Sequence, residues 1–260
     1  MKLNFKKLVN ENEGIPIVVL HGLFGSLDNW ITIGKRLSEE HTVYLVDQRN
    51  HGHSPHDETF NYEAMSEDLQ EFLEDQHLDR INLIGHSMGG KAAMLFTLTH
   101  PNVIASLCVV DIAPRHYPPH HQDVIAGFHA VQPHTLRSRN EAAARISTVI
   151  KNPGVQLFLL KNLQRTADGG FSWKHNLPVI EKNIELVGQR IDSKNNYSGP
   201  TLFIRGAKSD YILESDEKEI AALFPKAMVK TIENAGHWVH AEQPAAMLNV
   251  LQSFVGNSNE

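Results

Sequence analysis

A serine between glycines is the clearest sign of chemistry in this sequence. Ser87 lies in the segment GHSMGG at residues 85–90, which follows an apolar run at 81–84 and precedes a helical pattern from Lys91 onward. A G-x-S-x-G segment between a strand and a helix forms a sharp turn that exposes the serine hydroxyl and requires small neighbours. Ser87 is therefore the candidate nucleophile, and the alternative is an ordinary turn whose serine caps the helix.

A histidine near the end of the chain is the candidate base. His237 lies in NAGHWVH at residues 234–240, directly after the last apolar run. Because a serine hydroxyl at its ordinary pKa is a weak nucleophile, it needs an imidazole that accepts its proton. We predict this role for His237. His86 and His240 are the alternatives, and we expect most of the 16 histidines to lie in solvent.

Two aspartates could orient that imidazole. Asp111 follows the apolar run at 107–110, and Asp210 lies beyond the run at 201–204. Either keeps the chain order serine, acid, histidine, and a carboxylate in this position would fix the imidazole tautomer and stabilise the imidazolium. Each could instead be a turn or capping residue, so the pattern leaves the acid undecided.

A glycine-rich loop is the candidate site for a developing negative charge. The segment HGLFGS at residues 21–26 directly follows the first apolar run. Acyl transfer needs two N–H donors aimed at the oxygen that becomes negative. One donor is expected from the residue after the nucleophile, Met88, and the other from the loop after an earlier strand, at Leu23. The alternative is a plain glycine-rich turn.

Apolar runs that alternate with helical patterns predict the scaffold for these residues. Each run is continuous, as in strands buried on both faces of a parallel sheet. The runs lie at 15–20, 42–46, 81–84, 107–110, 201–204 and 229–232. Their alternation with helices predicts an α/β fold with a mostly parallel twisted sheet flanked by helices.

One long stretch interrupts this alternation. Between about residues 115 and 197 we predict no buried strand, and the patterns at 141–150, 155–163 and 177–187 indicate amphipathic helices separated by proline and glycine. The sequence thus predicts a core at 1–114 and 198–260 with a helical cap inserted at 115–197. Its apolar residues either pack within the cap or line a pocket. The candidates for the pocket lining are Phe128, Leu157, Phe158, Leu160 and Trp173.

Composition excludes several classes of protein. A net charge of -6 without a basic run gives no basis for nucleic-acid binding. The single cysteine, Cys108, excludes an internal disulfide. No secretion signal is recognisable, no apolar run approaches the roughly 20 residues that span a bilayer, and no histidine pair has the spacing of a metal site. We therefore expect a cytoplasmic protein without membrane association.

Together these segments resemble the α/β-hydrolase superfamily across essentially the whole chain. The resemblance is greatest to a subgroup of bacterial esterases that is similar to the mitochondrial abhydrolase-domain-11 proteins. It rests on HGLFGSLDNW at 21–30, RNHG at 49–52, GHSMGGK at 85–91, DIAP at 111–114 and GHWVHAE at 236–242. Asn50 replaces the glycine usual in the wider superfamily, but it matches this subgroup.

The resemblance implies a serine esterase with a helical cap. Its substrates would be short- to medium-chain carboxylic esters, with acyl-CoA thioesters as a second class, and the reaction would pass through an acyl-enzyme without cofactor or metal. The resemblance also favours Asp111 over Asp210, because the position matching Asp111 is the dependably acidic one. The alternatives are an acyltransferase, a C–C bond hydrolase or a non-catalytic binding module. The partner is then a small acyl ester; the oligomeric state is not predicted.

Overall fold

The centre of the molecule is a seven-stranded sheet. The computed structural model describes residues 1–11 and 14–256. The strands of the described chain are β1 (Phe5–Leu8), β2 (Ile17–Leu20), β3 (Val43–Val46), β4 (Ile81–His86), β5 (Ile104–Val110), β6 (Leu163–Arg165), β7 (Phe171–Trp173), β8 (Thr201–Gly206) and β9 (Ala227–Ile232). The sheet has the order β1-β3-β2-β4-β5-β8-β9, and β6 and β7 pair separately.

All six predicted runs are strands of this sheet, and all of them are parallel. The sequence pattern missed β1, which pairs antiparallel with β3 at the edge. Its residues Lys6 and Lys7 are exposed, so this strand has no continuous apolar run to reveal it.

Helices cover both faces of the sheet. They are α1 (Ile31–Leu37), α2 (Tyr62–Asp75), α3 (Met88–Thr99), α4 (Gln122–His129), α5 (Arg139–Val149), α6 (Pro153–Lys161), α7 (Leu177–Lys182), α8 (Ile184–Val187), α9 (Glu217–Leu223), α10 (Val239–Glu242) and α11 (Pro244–Gly256). Successive residues of β2 point to opposite faces. Val18 and Leu20 pack with α2 and α3, whereas Ile17 and Val19 pack with α1 and α11. Each such burial stabilises the fold by roughly 1.5–3 kcal/mol.

The strand order fixes where a site can form. After β3 the chain crosses back over β2 to form β4, so β2 lies between β3 and β4. Ligands of open parallel sheets bind beyond the carboxyl ends of the strands at such a reversal. The loops after β2 and β4, which carry the candidate residues, are therefore neighbours.

Between β5 and β8 the chain leaves the sheet and forms α4 to α8 together with the β6–β7 hairpin. The prediction of no buried strand in this stretch did not anticipate the hairpin, in which Leu163 and Phe171 are buried. Strands of three residues are too short to show a pattern. The single predicted helix at 177–187 is divided into α7 and α8. The boundaries at 114/115 and 197/198 stay predictions, and residues 257–260 of the predicted core lie outside the described residues.

This inserted segment rests on the loops that follow the strands. Asn162, after α6, donates a side-chain hydrogen bond to the carbonyl of Phe24 at 2.7 Å. The backbone N–H of Asn176 donates to the carbonyl of Asn50 at 2.9 Å. The segment thus lies over the carboxyl end of the sheet. Within residues 1–11 and 14–256, no helix is both long and apolar enough to cross a membrane.

Candidate active site

Ser87 occupies a strained turn between β4 and α3. Its backbone has φ 53° and ψ -118°, a region that costs a non-glycine residue roughly 1–3 kcal/mol. The turn is held by a hydrogen bond from the Ser87 N–H to the carbonyl of Val110, 3.0 Å long. A Cβ atom on Gly85 would lie 2.3 Å from the carbonyl oxygen of Gly89, so the turn closes only with glycine there.

His237 connects Ser87 to a buried carboxylate. The loop after β9 places its Nε2 3.0 Å from Ser87 Oγ and its Nδ1 2.9 Å from Asp111 Oδ2. Because a carboxylate only accepts hydrogen bonds, Nδ1–H donates to Asp111 and Nε2 is left to accept from the serine hydroxyl. The side chain of Asp111 is 0 % exposed and that of His237 is 21 % exposed, so the pair is largely shielded from water.

Both oxygens of the Asp111 carboxylate accept hydrogen bonds. Asp111 follows β5 with φ 52°, and its Oδ1 accepts a hydrogen bond from the N–H of Gly206 at 2.9 Å. Its Oδ2 also accepts from the hydroxyl of Ser209, a residue that the sequence analysis did not select. Asp210 is exposed, and its backbone carbonyl accepts from Arg115 at 3.0 Å. The carboxylate that meets His237 is therefore that of Asp111.

The loop after β2 lies directly against Ser87. A Cβ atom on Gly22 would be 2.8 Å from His86 Nδ1 and 3.2 Å from the Cβ of Ser87. Among the described residues, the N–H of Leu23 has no protein acceptor. The N–H of Met88 belongs to the first turn of α3, where no intrahelical acceptor exists. Both amides are thus available at the site.

Two cavities open on Ser87. The larger, about 210 Å³, is lined by Trp30, Phe158, His237 and Trp238 among others. The smaller, about 20 Å³, is lined by residues that include Tyr62, Met88, Ile112, Ile184 and Val187. Of the pocket candidates named from sequence, Phe158 lines the larger cavity, while Phe128 is buried against Phe24 and Trp173.

A family model described as alpha/beta hydrolase fold matches residues 15–147. The chain is also 42% identical over 248 residues to the mouse sn-1-specific diacylglycerol lipase ABHD11, covering 92% of this chain and 80% of that protein. The chain belongs to the α/β-hydrolase family. It is 39% identical over 262 residues to the esterase YbfF of Escherichia coli, covering 99% of this chain and 100% of YbfF.

A solved structure gives the same family. The structure titled "Marine microorganism esterase" superposes with a TM-score of 0.94 at 43% identity, over 97% of this α/β-hydrolase and 99% of that chain. These similarities support a hydrolase of the esterase or lipase type, consistent with the fold predicted from sequence.

Buried histidines support the β2 loop of this α/β-hydrolase from behind. His51 Nδ1–H donates to the carbonyl of Arg49 at 2.9 Å, and its Nε2 accepts from the N–H of Phe24 at 3.1 Å. His21 Nδ1–H donates to the carbonyl of Gly22 at 2.8 Å. Burial lowers the pKa of His21 to about 4 and that of His51 to about 3, so both rings are neutral at physiological pH.

The expectation that most histidines are solvated is wrong for six buried ones, His21, His41, His51, His86, His175 and His240. The local sequence did not reveal their burial, which depends on contacts between distant segments, such as that of His51 with the N–H of Phe24. The pairing of His51 with the β2 loop follows from the adjacency of β2 and β3, which the pattern of runs does not fix.

The two alternative bases have other partners. His86 Nε2–H donates to the backbone carbonyl of His237 at 2.9 Å, and burial holds the pKa of His86 well below its usual range. His240 stacks on Trp30 with ring centroids 4.7 Å apart, and burial lowers its pKa to about 3. Of the three histidines, His237 makes the hydrogen bond to Ser87.

Tyr211 is a further residue that sequence reasoning missed. Its ring stacks on that of His237, with centroids 3.8 Å apart and planes at 18°. Its hydroxyl is hydrogen-bonded to His120, and its carbonyl accepts from the hydroxyl of Tyr117. These contacts join the β8 loop to the inserted segment beside the imidazole. Within the described part of the chain, no cluster of three or more potential metal ligands is present.

Proposed function

We propose that this α/β-hydrolase is a serine esterase that hydrolyses short- to medium-chain carboxylic esters. The observation that carries the proposal is the continuous hydrogen-bonded series from Ser87 Oγ through His237 to Asp111, with separations of 3.0 and 2.9 Å. A nucleophile, a base within hydrogen-bonding distance and a group that orients the base are the requirements for acyl transfer.

In the first step the Ser87 oxygen forms a bond to the acyl carbon while His237 Nε2 takes the hydroxyl proton. The carbonyl π electrons move to the oxygen, which the N–H groups of Leu23 and Met88 stabilise, each by roughly 3–4 kcal/mol. The C–O bond to the alcohol then breaks, and the alcohol leaves with the proton from His237. Asp111 stabilises the imidazolium that exists between these transfers.

In the second step water hydrolyses the acyl-enzyme. His237 accepts a proton from the water, whose oxygen bonds to the acyl carbon, and returns that proton to Ser87 as the acid leaves. These five groups, three side chains and two backbone amides, need no metal or organic cofactor for the proposed reaction. Transfer to an alcohol instead of water would make the protein an acyltransferase, so the acceptor is a point that the test must address.

We assign the segment at 115–197 as a cap over the site. Its support is that His121, Val124 and Phe158 of this segment line the larger cavity with Ser87. A cover of this kind excludes water and sets substrate choice.

The larger cavity favours an uncharged substrate. Among the described residues that line it there is no aspartate, glutamate, lysine or arginine. Burial lowers the pKa of His121 and of His240 to about 3 each, so these rings stay neutral near pH 7. Neutral esters are therefore the first substrate class, and acyl-CoA thioesters are the second because their phosphates must stay outside this cavity. The cytoplasmic location expected from the sequence remains a prediction.

The test compares wild type with Ser87→Ala and Ser209→Ala. Ser87→Ala should lower kcat for p-nitrophenyl butyrate hydrolysis by roughly 10⁴-fold or more. It should also abolish covalent labelling by a fluorophosphonate. Ser209→Ala, which removes a different serine of the same site, should still be labelled by the fluorophosphonate. Wild-type turnover by Ser87→Ala would disprove the proposal. An unlabelled wild type without turnover would favour a binding module, and ester transfer to added alcohol in place of hydrolysis would favour an acyltransferase.

A further inference from the structure

The two cavities share one wall. Leu23, Ser87, His120, His121 and Tyr211 line both of them, so a substrate carbonyl at Ser87 faces one cavity on each side. A scissile ester has two branches at its carbonyl carbon, an acyl chain and an alcohol. An ester bound at Ser87 can therefore place one branch in each cavity.

The positions of His237 and Met88 distinguish the two cavities. His237 lines the larger cavity and is absent from the wall of the smaller one, whereas Met88 lines only the smaller. A leaving alcohol must receive its proton from His237 Nε2, so its oxygen lies on the His237 side of Ser87. The acyl chain has to extend in the other direction, past Met88.

We infer that the alcohol of the ester occupies the larger cavity and the acyl chain occupies the smaller one, so that Tyr62, Ile112, Ile184 and Val187 set acyl-chain length. This inference rests on the proposed esterase function and narrows it. The smaller cavity measures about 20 Å³, which is the space of about one water-sized group. The methyl group of an acetyl ester fits this space, and longer acyl chains require its wall to move.

The far end of the smaller cavity is tied together. The hydroxyl of Tyr62 donates to the carbonyl of Val187 at 2.6 Å. Lys91 Nζ donates to the carbonyl of Arg115 at 2.8 Å and to that of Gly188 at 3.4 Å, and it also contacts the carbonyl of Gln189. These bonds join α2 and α3 to both ends of the inserted segment. The wall therefore resists widening at this end.

One wall residue is less confined. Ile184 on α8 is half-buried, and it also faces a surface depression beyond α4. Shortening it enlarges the smaller cavity without removing a hydrogen bond. Val124 on α4 is a matched control, because it is also a half-buried β-branched residue of the inserted segment but lines only the larger cavity.

The experiment crosses two ester series with the variants Ile184→Ala and Val124→Ala. The acyl series is p-nitrophenyl acetate, butyrate and hexanoate, and the alcohol series is methyl acetate and 2-naphthyl acetate. Wild type should prefer acetate to hexanoate by roughly 10-fold or more in kcat/KM, since a single methylene in a confined pocket changes this value 10- to 200-fold. Ile184→Ala should reduce that preference by roughly 10-fold. Ile184→Val should change it in the same direction by less, which keeps the test valid if the alanine variant does not fold.

Val124→Ala should leave the acetate-to-hexanoate ratio at the wild-type value and change the ratio of naphthyl to methyl acetate. If Val124→Ala, and not Ile184→Ala, relaxes acyl-chain selection, the two branches lie the other way round and the inference is wrong. An unchanged acyl ratio in both variants also overturns it. Because fluorophosphonate labelling of Ser87 reports nucleophile reactivity independently of chain length, failure of the esterase function itself is recognised separately.

Discussion

The loops after the strands and the inserted segment above them obtain their order from different forces. Non-glycine residues with positive φ concentrate in the strand-end loops, at Phe24, Asn50, Ser87, Asp111 and Asn234. Such conformations persist only where the surroundings fix them, and they accumulate at active sites. Here buried hydrogen bonds, such as those to Asp111, provide that restraint.

In the inserted segment, ring packing adds to the hydrogen bonds that tie this segment to the core. The ring centroid of Phe128 lies 5.0 Å from that of Phe24 and 4.4 Å from that of His175. The centroids of Trp173 and His175 are 5.8 Å apart. Both ring nitrogens of His175 lack a partner among the described residues, and burial lowers its pKa to about 3. Non-directional packing tolerates small shifts, whereas hydrogen-bond networks do not. The comparison indicates that the strand-end loops hold their side chains in fixed positions, whereas the segment above them tolerates small shifts.

Replacing the buried acid should give the largest effect on the strand-end side. Asp111→Asn presents an amide that favours the wrong imidazole tautomer, so kcat for p-nitrophenyl acetate should fall by roughly 10⁴-fold. Asp210→Asn, the exposed control, should keep wild-type kcat. Thermal unfolding of both variants checks the fold, and a greater loss in Asp210→Asn than in Asp111→Asn would reverse the assignment.

Altering the support of the β2 loop should have an intermediate effect. His51→Asn can keep a donor near the Nδ1 position, through its amide NH2, but lacks an acceptor for the Phe24 N–H, whereas His51→Gln places its amide oxygen near Nε2 as an acceptor. We expect His51→Asn to lower kcat by roughly 10- to 100-fold, less than the 10²–10³ for loss of an oxyanion donor, with little change in KM.

The glutamine variant should recover most of that activity, which identifies a positioning role. Because the pKa of His51 is about 3, the asparagine defect should be equal at pH 6 and pH 8. Equal decreases of kcat in the two variants, or a change in KM alone, would contradict the role of His51 in positioning the loop.

Lys91, which joins the two regions, should give the smallest effect, and its effect should depend on pH. Burial lowers the pKa of Lys91 from 10.5 to about 7 in the folded state. Between these values the unfolded chain binds the proton and the folded chain does not, so the free energy of unfolding rises with pH from 7 to 10.5. Urea unfolding at pH 7 and pH 10 should show this rise in wild type relative to Lys91→Met. The prediction is refuted if the free energy of unfolding of wild type minus that of Lys91→Met stays constant or falls as pH rises.

Local sequence predicted what depends on local chemistry. The elbow at Ser87 follows from glycines that leave room for the turn, and the parallel strands follow from runs buried on both faces. The sheet edge β1 escaped detection because its exposed lysines break the apolar run. The β6–β7 hairpin escaped because each strand has only three residues.

Residues that act through long-range contacts could not be found in this way. Asp111 and Asp210 both lie beyond strand ends, and only the turn at Asp111, with φ 52°, directs that carboxylate to His237. Ser209 and Tyr211 reach the site from the β8 loop, and no periodicity or motif marks them. Local sequence therefore predicted the candidate nucleophile and base, whereas the residues that contact them from other loops are visible only in the assembled strand ends.

The two outer strands of the sheet affect how copies of the protein behave together. β1 exposes Lys6 and Lys7, and β9 exposes Lys230. An unpaired strand edge is a template for aggregation, and lysine along it makes strand addition unfavourable because two rows of ammonium groups would meet. We therefore expect these lysines to disfavour the addition of a strand from another copy at both open edges of the sheet.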